Sequence, residues 1–332
     1  MSNPKPPTPV FFITGASSGF GRSIAFESLR RGHHVIATAR NSSRLSELRA
    51  AGAVTMDLDV TSSDSVLNQK MAEASAIYGK ITHVVNCAGY ILEGGIEEAS
   101  SKEVFEEFNT NVLGCFNVAR AATKYLRAAT AADAGEGGEG GQQQVALANF
   151  GSLGSWKSSA GVAHCEFISS LSLSLVMVGW TEANTHTDCS TKFAVSGLTE
   201  GLAEELKPFG IDVCVIEPGY TATGFLARGG NGGGDHRIVT ERKIAAYEGT
   251  AVAAAHDAME AYNGNQPGDV DKCAKVIVDV LTKSGVAKGR EVPVRLALGT
   301  DTLEVIRKKC EDTLRLVAEW EDVSSSTMRD EN

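Results

Sequence analysis

The stretch Thr14-Gly15-Ala16-Ser17-Ser18-Gly19-Phe20-Gly21 constrains this chain more than any other. An apolar run, Val10-Phe11-Phe12-Ile13, enters it, and Ile24, Phe26 and Leu29 leave it at helical spacing. Strand, glycine turn and helix follow one another. Gly15, Gly19 and Gly21 let the backbone turn sharply and approach a pyrophosphate, whose charge a helix N-terminus favours. The spacing also occurs in ordinary loops. Its place after the first strand, with a second strand ending near Arg40, favours a nucleotide-binding turn that carries Ser17, Ser18 and Phe20 with it.

Val35-Ile36-Ala37-Thr38-Ala39 reads as that second strand. An acidic residue at its end would accept from the adenosine ribose of NAD(H). Here the end is Ala39, and Arg40 follows; a cation there favours the extra phosphate of NADP(H). The alternative is a solvated surface arginine. Val54 to Val60 reads as a third strand, with Asp59 placed to accept from the adenine amino group. A helix from Ser65 to Tyr78 follows, capped by Thr61 or Ser62. Thr82 to Gly89 is a fourth strand closing on small residues, Asn86, Ala88 and Gly89, where a bulky loop would block a ribose.

Lys102 to Ala129 reads as one long helix, inside which Asn111 is a solvated or back-bonded polar residue. Residues 130–144 are Gly/Glu/Gln-rich and read as a flexible loop. Val145 to Phe150 forms a fifth strand delivering Gly151-Ser152. Thr191 to Leu206 forms a helix with a small-residue face of Ala194, Gly197 and Gly201, suited to close packing. Ile211 to Ile216 is a sixth strand delivering Glu217-Pro218-Gly219-Tyr220-Thr221. Residues 220–266 read as a lid region with a mobile segment at Gly229–Gly234. Gly268-Asp269 caps a helix to Leu281, Val292–Leu298 is a seventh strand, and 299–323 a last helix before a polar tail at 324–332. Residues 1–9 read as a disordered, proline-rich start.

A net charge of −10 argues against a nucleic-acid or polybasic membrane surface. Seven cysteines, an odd number without close pairing, read as buried small residues in a reducing, cytoplasmic setting. The longest apolar stretch, Phe167–Trp180, contains serines and is too short to span a bilayer comfortably. The histidines are scattered, and no metal site is visible. Leu153, Trp156, Phe225 and Leu226 either line an apolar pocket or are plain packing.

Thr14-Gly15-x3-Gly19-x-Gly21, Asn86-x-Ala88-Gly89, Asn111, Ser152, Lys192 and Pro218-Gly219 come in the order and context of the short-chain dehydrogenase/reductases, which the chain resembles from about Val10 to Thr223. The resemblance implies an α/β, Rossmann-like doubly wound parallel sheet of about seven strands in one domain, residues 10–298. It also implies NAD(P)(H) and hydride transfer between an alcohol and a carbonyl; Leu153, Trp156, Phe225 and Leu226, as pocket residues, would make that substrate a small apolar one. Ser152 would hydrogen-bond the substrate oxygen. Lys192 would hold the nicotinamide ribose and lower the pKa of a catalytic tyrosine, and Asn111 would anchor a proton-relay water. Thr221 and Thr223 would contact the carboxamide or nearby phosphates. The family's interface helix, which lies just after residues 165–188, suggests a homodimer or homotetramer if that segment is absent.

One residue breaks the pattern. The family's tyrosine lies four residues before the lysine, and here that position is Asp188. None of Tyr78, Tyr90, Tyr125, Tyr220, Tyr247 and Tyr262 precedes a lysine by four. The serine usually lies about thirteen residues before the tyrosine, which from Ser152 points to Cys165 rather than Asp188. A retained intron accounts for both anomalies. Cys165-Glu166-Phe167 can be written T-GTGAGT-TT, a splice donor; Ala183-Asn184 can be GCT-AAC, a branch point; Thr187-Asp188 can be ACA-GAC, an acceptor. Joining the leftover T to AC gives a tyrosine codon in frame, between His164 and Cys189, and restores both spacings. The alternative is a genuine insert at 165–188, in which Asp188 is a poor proton donor because a carboxyl near pKa ~3.9 is ionised at neutrality. On that alternative the chain is an inactive NADP-binding protein, a sensor or an interaction partner.

Overall fold

The computed structural model describes residues 7–135, 144–158, 187–226 and 236–329. Seven parallel strands form its central sheet: β1 (Val10–Thr14), β2 (His34–Ala39), β3 (Val54–Asp57), β4 (His83–Asn86), β5 (Ala146–Phe150), β6 (Asp212–Pro218) and β7 (Arg295–Leu298). Their order across the sheet is β7-β6-β5-β4-β1-β2-β3. The chain winds outward from β1 in one direction and from β4 in the other. The carboxyl ends of β1 and β4, with Thr14 paired to Asn86, therefore flank the crevice where such sheets take ligands.

Alternation along β1 sends Val10 and Phe12 to one face and Phe11 and Ile13 to the other. Each face is a core. On the first, Val10 and Phe12 meet α2 (Asp64–Tyr78) through Leu67 and Met71, and α4 (Cys115–Gly135) through Val118 and Leu126. On the second, Phe11 and Ile13 meet Ile24 of α1 (Gly19–Arg30) and Ile277 and Val278 of α7 (Val270–Leu281). These side chains are fully or almost fully buried, and each contributes roughly 1.5–3 kcal/mol against leaving it in water. The remaining helices are α3 (Ser101–Phe108), α5 (Thr187–Leu206), α6 (Ala251–Tyr262) and α8 (Thr300–Ser325). Two short strand pairs, Ile91–Glu93 with Arg237–Val239 and Thr221–Ala222 with Gly268–Asp269, tie the 220–266 region to the body. The first pair holds an Arg237–Glu93 ion pair at 2.6 Å with both side chains buried.

Several expected boundaries shift for local reasons. The residue before α2 is Ser63, not Thr61 or Ser62, and its side chain makes no capping bond; the Thr61 amide and hydroxyl both donate to Asp59 Oδ1. The long helix expected over Lys102–Ala129 is broken by a π-helical turn at Asn109–Gly114. There Gly114 lies so close to Val60 that a Cβ would come within 2.7 Å of it. Helix α4 continues to Gly135, into the stretch read as a loop, and residues 136–143 lie outside the described ones. The small-residue face of α5 is only partly covered: Ala194 packs with Val112 and Val215, while at Gly197 and Gly201 no atom of the described residues lies within 4 Å of a would-be Cβ. The last helix runs two residues into the expected polar tail. The glycine segment Gly229–Gly234 and residues 165–186 lie outside the described residues.

His83 is the buried polar residue with the clearest pH consequence. Its ring stacks on Phe11 at 4.4 Å, its Nε2 donates to the Leu281 carbonyl at 3.0 Å, and its Nδ1 accepts from the Thr82 hydroxyl. Burial lowers its pKa to about 3, and burial beside Arg31 lowers that of His33 to about 4. Both are neutral in the fold but take up protons in the unfolded chain below pH ~6.5. The unfolded state binds more protons as pH falls, so stability is lost from there downward, at up to about 1.4 kcal/mol per pH unit for His83. The urea midpoint should fall steadily between pH 7 and pH 4, and less steeply in His83→Asn.

Candidate active site

The glycine turn is shaped by contacts that exclude side chains. Gly15 has φ +64°, and a Cβ there would lie 2.8 Å from the Ala88 amide nitrogen; at Gly21 it would lie 2.6 Å from the Gly15 carbonyl. The Thr14 hydroxyl accepts from the Cys87 and Ala88 amides at 3.1 and 3.2 Å, tying the ends of β1 and β4 together. Ser18 precedes α1 in extended backbone, and its hydroxyl does not cap the helix. It meets His236 Nε2 at 2.7 Å instead. Phe20 packs on Phe150 at 5.1 Å, and Gly19 faces the Thr223 side chain at 3.7 Å from its would-be Cβ. The cradle is backbone-lined, opens at a helix N-terminus and fits a pyrophosphate. Ser17 is half-buried within it.

Arg40 stands exposed just past β2 and makes no ion pair among the described residues. Asp59 is exposed, its Oδ1 taken up by Thr61. Asn86 is buried, and its amide donates to Asn149 Oδ1 at 2.9 Å and to the Cys115 carbonyl at 3.2 Å. It therefore braces β4 against β5 and α4, and any effect on a ligand passes through that frame.

Asn111 sits in the π-helical turn and is buried, where the sequence suggested a solvated residue. Its Oδ1 accepts from the Tyr90 amide at 3.0 Å, and its Nδ2 donates to the Tyr90 carbonyl at 2.8 Å and to Thr191 Oγ1 at 3.3 Å. A Cβ on Gly89 would lie 3.0 Å from this amide. Thr191 leads directly to Lys192, whose Nζ donates to the Phe150 carbonyl at 3.1 Å. Ser152 follows β5, with its Oγ accepting from the Gly154 amide at 2.7 Å. Asn111, Ser152 and Lys192 thus hang on one short hydrogen-bonded frame. Burial raises the pKa of Cys115 to about 12 and pushes that of Cys87 up further, while the nearby Lys192 charge opposes both shifts. Neither thiol is a reactive one.

Behind this group lies a buried network that the sequence did not announce. Ser155 donates to the Lys192 carbonyl at 3.1 Å and accepts from the Ser152 amide at 3.3 Å. Ser196 Oγ lies 2.9 Å from Ser155 Oγ and from Glu217 Oε1. Glu217, fully buried, also accepts from Trp156 Nε1 at 2.8 Å and from Arg295, whose guanidinium stacks over the Trp156 ring. Trp156 is part of this brace and, half-buried, also lines a groove between α5 and α8, whereas Leu153 is core. Phe225 and Leu226 pack instead with Ile91 and Met259 in a small separate apolar cluster. Pro218 ends β6; the Asp301 carboxylate accepts from the Tyr220 amide at 2.7 Å and lies against Gly219, where no Cβ would fit. Thr221 donates to the Gly219 carbonyl at 3.1 Å, and Thr223 accepts from the Phe225 amide. Asp188 lies in the first turn of α5; its side chain is outside the described residues.

The short-chain dehydrogenase family model matches residues 9–137 and 180–231. The chain belongs to the short-chain dehydrogenases. The match lapses over 138–179, a stretch that holds Ser152 and much of 165–188. Oxidoreductase calM of Penicillium decumbens is 30% identical over 318 residues, which cover 92% of this chain and 88% of that one. A 3-ketodihydrosphingosine reductase of Bacteroides thetaiotaomicron is 31% identical over 217 residues, 65% of either chain. The solved structure of a short-chain dehydrogenase from Streptomyces avermitilis superposes with a TM-score of 0.74 at 29% identity, covering 97% of this chain and all of that one. No helix among the described residues is long and apolar enough to cross a membrane.

Proposed function

We propose that this short-chain dehydrogenase binds NADP(H) in preference to NAD(H), along the carboxyl ends of β1, β4 and β6. Its chemistry is hydride transfer to or from a small apolar alcohol or carbonyl compound. The observation that carries this reading is the convergence of Ser152, Lys192 and Asn111 on one frame beside a backbone-lined glycine turn. Bound dinucleotide supplies the hydride. Gly15, Ser17, Ser18, Gly19, Phe20 and Gly21 would hold its pyrophosphate, Arg40 its 2′-phosphate and Asp59 its adenine. Ala88, Gly89 and Asn86 would shape the ribose side, and Pro218, Gly219, Thr221 and Thr223 the nicotinamide side. Because the Ser152 hydroxyl already accepts from Gly154, its proton is left for a substrate oxygen. Lys192 spends one proton on Phe150 and keeps two for ribose hydroxyls and a neighbouring acid. Asn111, held by Tyr90, would steady a water beside Lys192.

What the chain lacks is the acid itself. Asp188 occupies the tyrosine position, and Lys192 four residues on favours its ionised form. We infer that turnover is impaired in this chain and that residues 165–188 are a retained intron; the lapse of the family match over 138–179 supports that reading. If the segment belongs to the working protein, Asp188 favours the second reading, a cytoplasmic NADP-binding protein without turnover.

The cofactor preference is tested by fluorescence titration with NADPH and NADH. NADPH should bind about tenfold or more tightly, since a charge-assisted bond contributes ~1.5–3 kcal/mol. Arg40→Ser should remove the preference and leave NADH affinity unchanged. Equal affinities in the unaltered chain would refute it.

A further inference from the structure

Helix α8 leaves the body after its first turns. From Arg307 onward every described residue of it is exposed except Asp312, which is half-buried. Leu314 is 70% exposed, Leu316 and Val317 58% each, and Trp320 52%. A segment of this length with no tertiary cover among the described residues is marginal as a helix in water, and a run of large exposed side chains marks a contact surface.

The sequence of α8 says what covers it. Leu303, Ile306, Cys310, Thr313, Val317 and Trp320 recur at the alternating three- and four-residue spacing of a coiled-coil seam. Leu314 and Leu316 flank the seam at its middle. Basic residues (Arg307, Lys308, Lys309) precede that middle, and acidic ones (Glu319, Glu321, Asp322) follow it. Within the chain, Lys308 and Arg315 pair with Asp312, but Arg307 and Glu321 pair with nothing among the described residues. Turn a second α8 antiparallel about a two-fold axis through the middle, and the pattern closes on itself. Arg307 of one copy faces Glu321 of the other, twice; Cys310 layers on Trp320, Thr313 on Val317, and Leu314 on its own counterpart. A parallel pair would set like charges side by side. A groove of about 620 Å³ between Cys310, Thr313 and Leu314 of α8 and Phe193 and Gly197 of α5 continues the surface toward the body. The Gly197 and Gly201 positions leave room there for a close backbone approach.

We propose that α8 is an association arm, and that its occupant is the antiparallel α8 of a second copy of this chain. An isologous contact counts each residue twice, and specific interfaces begin at ~1,200 Å² in total.

The test is sedimentation of the full-length chain at micromolar concentration, in four forms. The unaltered chain should be a dimer. Arg307→Glu sets two acidic residues together at both ends of the pair and should raise the dimer dissociation constant about tenfold, and Arg307→Glu with Glu321→Arg should restore it. In a Cys310→Ser background, Leu314→Cys should form a disulfide between copies on mild oxidation, since the two side chains meet at the axis. The charge variants alter exposed residues, so loss of fold would not mimic the rescue. A monomeric unaltered chain overturns the proposal, including one whose α8 is shielded from hydrogen exchange by its own residues. So does a dimer indifferent to Arg307→Glu, or an absent Leu314→Cys disulfide.

Discussion

Replacing residues 165–188 by a single tyrosine, so that His164-Tyr leads into Cys189, should raise NADPH-dependent reduction of an apolar aldehyde about 10²- to 10⁴-fold, the usual contribution of a positioned general acid. Ser152 and Lys192 are in place on their shared frame, and Asn111 is locked to Tyr90 in the π-helical turn. None of the three donates a proton readily at neutral pH: a serine hydroxyl is too weak an acid, and Lys192 is an ammonium wanted as a charge. A tyrosine four residues before Lys192 would have its phenol pKa drawn down toward neutrality by that charge. The same joined chain with phenylalanine separates this from mere removal of an apolar segment. It should bind NADPH as tightly as the tyrosine form and turn over no faster than the unaltered chain. Equal rates for the phenylalanine and tyrosine forms would show that the acid lies elsewhere.

The second large effect is expected at the glycine turn. In Gly21→Val the new side chain meets the Gly15 carbonyl, which a Cβ alone would already approach to 2.6 Å. The obstacle is backbone, not the end of a flexible side chain, so the turn must open. Gly15 is itself fixed by its φ of +64° and by the Ala88 amide, which Thr14 holds. The shift therefore passes to the ribose side of the cleft. NADPH affinity should fall about 10²-fold or more, equivalent to at least ~2.7 kcal/mol, with a lowered melting temperature. Gly201→Ala is the control. It stands in open space on α5 and should stabilise the helix by up to about 1 kcal/mol with no change in NADPH affinity.

The alternation of apolar strand and amphipathic helix made the sheet legible in the sequence, because parallel strands buried on both faces read as short apolar runs such as Val10–Ile13. Ser152 was readable as the residue delivered at the end of a strand, and Lys192 through the family resemblance; α5 itself begins at Thr187, four residues before the Thr191 expected for it. The break at Asn109–Gly114 was not, since nothing in a helical pattern marks one extra residue in a turn. It depends on Asn111 finding Tyr90, twenty-one residues away. The brace of Glu217, Arg295, Trp156 and Ser196 was equally hidden. Glu217 read as a loop entrance before Pro218-Gly219, and only the pairing of β6 with β7 brings Arg295 to it. Trp156 read in the sequence as either a pocket wall or plain packing, because an indole looks alike there whether it faces a groove or a buried carboxylate; here it donates to Glu217 and also lines the groove between α5 and α8.

We infer that this chain takes up the dinucleotide but lacks the group that completes its reaction. This is tested most directly on the full-length protein, with Asp188 confirmed by intact mass. NADPH fluorescence would report binding, and the nicotinamide absorbance would be followed after addition of an apolar aldehyde. The account predicts saturable NADPH binding with no loss of absorbance beyond that in buffer. Repeated turnover by the chain with Asp188 in place would contradict it.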